Sequence, residues 1–241
     1  MTLKIRRLSY ALGAEVAGVD FSRRIDDQTF NEIRAAFLEH CVLVFRGLPI
    51  TREQHVAFSR RFGELDMNED RAADTRVPEF PEIFLVVAKP VPAGMPAGRV
   101  TGGEWHTDNS HLPVAAAASL LRAVELPGLG GDTSFANMYR AYDTLSDGMK
   151  KLIEPLHGVH MLTRAVYDLS TPERAAESWR RYPAAAHPAV RLHPETGRKA
   201  LYVNEQLRLF VGMTAAESKP LIHYLTEHAV RPQNVYRHQW Q

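Results

Sequence analysis

Glu104-Trp105-His106-Thr107-Asp108-Asn109-Ser110 is the stretch on which the reading of this chain turns. His106 and Asp108 both carry groups that bind divalent metals, and they stand two residues apart. On an extended strand, positions i and i+2 face one side of a sheet, so the imidazole and the carboxylate can converge on a single ion while Thr107 points away. With a third protein ligand, such a pair leaves about half an octahedron open, as in non-haem Fe(II) oxygenases. The residues alone leave two other readings open. His106 can be an ordinary hydrogen-bonded histidine, with Asp108 starting an Asx turn into Asn109-Ser110. A zinc hydrolase needs three protein ligands, and no His-Glu-x-x-His or paired cysteines supply them.

Outward from the motif, Pro90 to Gly103 is a Gly/Pro-rich approach, and residues 63–80 are polar, acidic and without clear periodicity. Both segments, 63–80 and 89–104, read as loops framing a site. Short strands are expected around Gly13, at Val42 to Phe45, Glu82 to Ala88, Ala115 to Val124, His157 to Leu162 and Asn234 to Trp240. A hairpin is expected from Val190-Arg191-Leu192-His193, the turn Pro194-Glu195-Thr196-Gly197 and Ala200-Leu201-Tyr202-Val203. Helical spacing of Phe30, Ile33 and Phe37 marks a helix over Asp26 to His40. Capping boxes at Thr51-Arg52-Glu53-Gln54 and Thr214-Ala215-Ala216-Glu217 open two more. Short helices are expected at Asn137 to Leu145 and Asp147 to Ile153, with another near Pro172 to Arg180. Many short strands with helical cover predict a mixed α/β, mainly β chain: one domain over 1–241, built as a double-sheet jelly roll with flanking helices.

Composition narrows the function. Lys+Arg 29 against Asp+Glu 28 gives a net charge of +1, so bulk electrostatics predict no nucleic-acid partner. No apolar run is long enough to span a membrane, and no secretory h-region follows Met1, so a cytoplasmic protein is expected. The lone Cys41 excludes an intramolecular disulfide and reads as a buried small residue. Gly130-Gly131-Asp132-Thr133 lacks the lysine of a P-loop, and no Gly-x-Ser-x-Gly elbow is present. His238 reads as an ordinary surface histidine.

Several motifs in fixed order resemble the Fe(II)- and 2-oxoglutarate-dependent dioxygenases of the taurine dioxygenase / 2,4-dichlorophenoxyacetate dioxygenase (TauD/TfdA) family. They run Leu12 to Asp20, Val42-Leu43-Val44-Phe45-Arg46-Gly47, Ala57 to Gly63, Trp105-His106-Thr107-Asp108, Gly130-Gly131-Asp132-Thr133, and His193 to Lys199 with Leu201-Tyr202-Val203-Asn204. The resemblance implies a double-stranded β-helix with a variable lid, His106 and Asp108 as two of three iron ligands, and Thr133 as a hydroxyl bonded to a carboxylate of 2-oxoglutarate. It implies Fe(II), 2-oxoglutarate and O2 as cofactor and cosubstrates. The implied reaction releases succinate and CO2 and hydroxylates a small organic acid. Homo-oligomers are common in the family.

In the family, the strand resembling Val235 to Trp240 is followed by an apolar strand, a Trp-Asp-Asn-Arg segment, the distal histidine ligand and an arginine for 2-oxoglutarate. Gln241 precedes all of these, so the resemblance leads us to expect a chain lacking the tail of a competent enzyme, its third iron ligand unidentified. Two alternatives follow: a full-length enzyme of which this is part, or an inactive truncated paralogue with a structural or binding role. On substrate, Gly63-Glu64-Leu65 leads into Asp66-Met67-Asn68-Glu69-Asp70, without the lid histidine and tyrosine of the taurine enzyme. Carboxylates there repel a sulfonate. Asn137 to Tyr142 and Arg237 to Trp240 look closer to the aryloxyalkanoate branch. An aryloxyalkanoate with ether cleavage is therefore expected ahead of a sulfonate or alkyl sulfate. Asn68 and Arg99 are candidate substrate contacts, although Arg99 reads more readily as a surface residue.

Overall fold

A computed structural model of the protein describes residues 3–67, 75–87, 103–161 and 183–241, with positions 173, 177 and 180. Asn68, Arg99, residues 68–74 and 89–102 of the two expected framing loops, and the expected helix near 172–180 save for those three positions, lie outside the described residues.

The N-terminal part forms as its pattern dictates. Strands β1 (Lys4–Arg7) and β2 (Ala14–Ala17) pair antiparallel around the turn at Gly13. β3 (Leu43–Val44) then adds in parallel to β2. Between them runs α1 (Asp27–His40), where the Asp26 carboxylate caps the helix by accepting from the Thr29 amide. α2 (Arg52–Ser59) opens on the Thr51/Gln54 capping box, both halves of which are made. These elements bury Phe21, Phe30, Ile33 and Phe58. Phe58 meets Phe21 edge-on at 5.0 Å and Phe62 at 5.4 Å, the arrangement aromatic quadrupoles favour.

A second core gathers Tyr142, Leu145, Ile153, Leu201, Phe210 and Leu225. It joins α3 (Met138–Asp143), α4 (Asp147–Ile153) and α5 (Ala215–Ala229) to the strands beneath. Those strands are β7 (His157–His160), β8 (Ala185–Pro188) and β11 (Leu207–Phe210), in the order β11-β7-β8, and the hairpin β9 (Val190–Leu192) with β10 (Lys199–Leu201). The remaining pairs are β4 (Arg76–Val77) with β5 (Phe80–Phe84), and β6 (Thr133–Ala136) with β12 (Val235–His238).

The expected jelly roll is not what the described residues form. Their strands make five separate sheets of two or three strands, and none closes on itself. The strands are two to five residues long, so each ladder holds only a few hydrogen bonds, and the strand order within each sheet ends after two or three members. The expected strand Ala115 to Val124 is irregular instead, and Val124 is 78% exposed. Its apolar count rests on four consecutive alanines, which have little β preference and little surface to bury. The strand expected at Glu82 to Ala88 is displaced toward Phe80–Phe84.

Candidate metal and cosubstrate site

His106 and Asp108 do converge, but not by the route expected. Residues 105–107 lie in no strand, and a turn begins at Asp108. Asn109 takes the left-handed conformation (φ 56°), which asparagine tolerates better than most residues. His106 Nε2 lies 3.5 Å from Asp108 Oδ1, both side chains being partly open to solvent (35% and 46% exposed). The pair therefore converges in irregular backbone just ahead of a turn rather than through a strand's alternation.

The hydrogen bonds around the pair define what each atom can do. His106 Nδ1 lies 2.8 Å from the Glu104 carbonyl. A carbonyl only accepts, so Nδ1 carries a proton and Nε2 faces Asp108. The Ser119 hydroxyl donates to Asp108 Oδ2 at 2.5 Å. The side-chain bond to Asp108 is the main reason the imidazole pKa is pushed up to about 9, against the opposing effect of burial. A divalent cation at Nε2 competes with that proton.

The turn is tied down behind the pair. The Ser110 hydroxyl, fully buried, donates to Gln206 Oε1 at 2.8 Å and lies 3.3 Å from His160 Nδ1. The Glu205 amide donates to the Trp105 carbonyl at 3.0 Å. Ser119, Ser110 and Gln206 were not legible as site residues, because their contacts span 11 to 96 positions of sequence.

Thr133 belongs to a different grouping. Gly130 and Gly131 both adopt positive φ (82° and 74°), and a Cβ on Gly131 would sit 2.9 Å from the Pro127 ring. Glycine is thus required for the turn that delivers Thr133 to the start of β6. There Thr133 lies opposite His238 of β12, and its hydroxyl accepts from the Trp240 indole at 3.0 Å. His238 is 3% exposed, so it is a core residue and not the surface histidine expected. Its buried ring packs edge-on against Trp240.

An imidazole and a carboxylate converging on one side are a donor set suited to Fe(II), and to that extent the residues fit such a metal. Among the described residues no group of three His, Cys, Asp or Glu side chains is assembled for a metal, so a third ligand is not placed. No described helix is long and apolar enough to cross a membrane.

The comparisons with known proteins agree with these motifs. Residues 4–241 match the family described as taurine catabolism dioxygenase TauD, TfdA family. The chain belongs to this dioxygenase family. It is 34% identical over 242 residues to the (S)-phenoxypropionate/alpha-ketoglutarate-dioxygenase of Sphingobium herbicidovorans, covering 98% of this chain and 82% of that protein. It is 31% identical over 248 residues to the alpha-ketoglutarate-dependent 2,4-dichlorophenoxyacetate dioxygenase of Cupriavidus pinatubonensis, covering 100% and 86%. Among solved structures, AAD-2 in complex with Mn(II) and N-oxalylglycine superposes with a TM-score of 0.83 at 30% identity, covering 100% of this chain and 85% of that one.

Proposed function

We propose that this protein is an Fe(II)- and 2-oxoglutarate-dependent dioxygenase that oxidises a small organic acid of the aryloxyalkanoate class, with ether cleavage. The observation that carries the reading is the approach of His106 Nε2 to Asp108 Oδ1 within a chain matched to the TauD/TfdA family along nearly its whole length. His106 and Asp108 would hold the metal, with Thr133 binding a carboxylate of 2-oxoglutarate. Bound ferrous iron supplies the redox chemistry and open coordination positions that the use of O2 requires.

The chain's own residues prepare that site. The Glu104 carbonyl keeps the proton on His106 Nδ1, leaving Nε2 as the metal-facing nitrogen. Ser119 occupies Asp108 Oδ2 and so presents Oδ1 on the imidazole side. The aryloxyalkanoate assignment draws support from the substrates named for the relatives in Sphingobium and Cupriavidus. Asn68 and Arg99 are the proposed substrate contacts. An arginine suits a substrate carboxylate because its planar fork matches the two oxygens.

Incubation with Fe(II), 2-oxoglutarate and phenoxyacetate, following succinate and phenol together, tests this reading. Both products are expected in equal amounts, and neither with Asp108→Ala. Undiminished turnover in Asp108→Ala would remove Asp108 from the site. Succinate without phenol would keep the dioxygenase and discard the aryloxy substrate.

A further inference from the structure

The indole of Trp240 constrains what Thr133 can do. Pairing of β12 with β6 sets His238 opposite Thr133, and Trp240, two residues on, places Nε1 3.0 Å from Thr133 Oγ1. The indole is braced from behind. The buried His238 ring meets it at 4.8 Å with an interplanar angle of 80°, and His238 Nδ1 in turn lies 3.0 Å from the Tyr236 hydroxyl. An indole N–H is a donor only, whereas a threonine hydroxyl has one hydrogen and two lone pairs. The contact therefore occupies a lone pair of Oγ1 and turns the Thr133 hydrogen toward some other acceptor.

We infer that Trp240 is a positioning residue that holds Thr133 as a hydrogen-bond donor to an anionic oxygen, and that it thereby sets the affinity for the dicarboxylate cosubstrate. This rests on the reading of Thr133 as a 2-oxoglutarate contact. Donation into Oγ1 also polarises the O–H, which strengthens the bond that the hydroxyl gives. The neighbouring carboxylate does not oppose an incoming anion unaided, because Asp132 Oδ2 accepts from Arg237 Nε at 2.7 Å. Asp132 and Arg237 thus offset one another beside the hydroxyl, and Trp240 aims it.

The test is calorimetric titration of 2-oxoglutarate into the full chain loaded with Mn(II) as the probe metal. It compares the unsubstituted protein, Trp240→Phe, Thr133→Val and the double variant. Phenylalanine keeps an aromatic ring to pack against His238 and removes the N–H, at the cost of a smaller ring system. Trp240→Phe is expected to raise Kd about 5- to 10-fold, the size of one ordinary neutral hydrogen bond. In the Thr133→Val background it should add less than about twofold, because no hydroxyl remains to orient. Equal affinity of Trp240→Phe and the unsubstituted protein overturns the inference, and so does a loss of the same size in both backgrounds. Binding that Thr133→Val leaves unchanged, or no binding by the unsubstituted protein, overturns the reading of Thr133 and the inference with it. The indole N–H resonance of Trp240 in the unsubstituted protein gives a readout independent of any variant's folding. It is expected to shift on adding 2-oxoglutarate, and a resonance that stays still at saturation counts against the inference.

Discussion

The Ser119 hydroxyl donates to Oδ2 of Asp108 at 2.5 Å, and the other oxygen of the same carboxylate faces His106 Nε2 at 3.5 Å. One carboxylate is thus divided between a serine that fixes its rotamer and an imidazole with which it can share a cation. Partners of this kind tune metal affinity by orienting the ligand rather than touching the metal.

Removing that hydroxyl should loosen the site without dismantling it. Ser119→Ala is expected to weaken Fe(II) or Mn(II) binding about 10- to 100-fold, with little change in melting temperature because Ser119 is exposed. Metal titration followed by calorimetry checks this, and unchanged affinity would show that Asp108 is held by other contacts.

Acid should destabilise the fold through His160. This fully buried imidazole has its pKa lowered from 6.5 to about 4, first by burial and then by the charge of His187. The unfolded chain takes up a proton below about pH 6.5, whereas the folded protein resists until about pH 4. Its contribution to stability is therefore complete above pH 6.5 and is lost as the pH falls toward 4. Urea unfolding should show a loss of up to about 2 kcal/mol from this group between about pH 7.5 and pH 5. His160→Gln should flatten that part of the profile.

The capping box of α5 offers a local test. Thr214 Oγ1 accepts from the Glu217 amide at 3.3 Å, and the Glu217 carboxylate returns to the Thr214 amide at 2.7 Å. Thr214→Ala should cost about 1 kcal/mol in chemical denaturation. Because α5 carries the buried Leu225 of the second core, the loss should register in global unfolding.

Phe58 ties the N-terminal elements together through edge-on contacts with Phe21, Phe30, Phe45 and Phe62. Phe58→Ala should destabilise the protein by about 3–5 kcal/mol. Phe58→Leu, which retains most of the volume, should cost much less, and equal losses would deny the packing role.

Local chemistry in the sequence determined a good deal. Asp26, Thr51, Thr214 and Asn137 mark helix starts because a cap is decided within three or four residues. The β9–β10 hairpin was likewise legible from its turn, and the ordered motifs identified the family that the whole-chain match supports. What needed tertiary structure was everything set by distant partners. Sequence patterning predicted a jelly roll, but which short strands join, and into how many sheets, depends on hydrogen bonds between remote segments. The spacing of His106 and Asp108 pointed to their convergence, and a turn from Asp108 was one of the readings the residues left open, yet the grip of Ser119 and the latch from Ser110 to Gln206 emerged only on folding. The sequence records which groups can bind a metal or donate a proton. Only the fold decides which remote backbone and side chains hold them still, because that choice is made by packing across the molecule rather than along the chain.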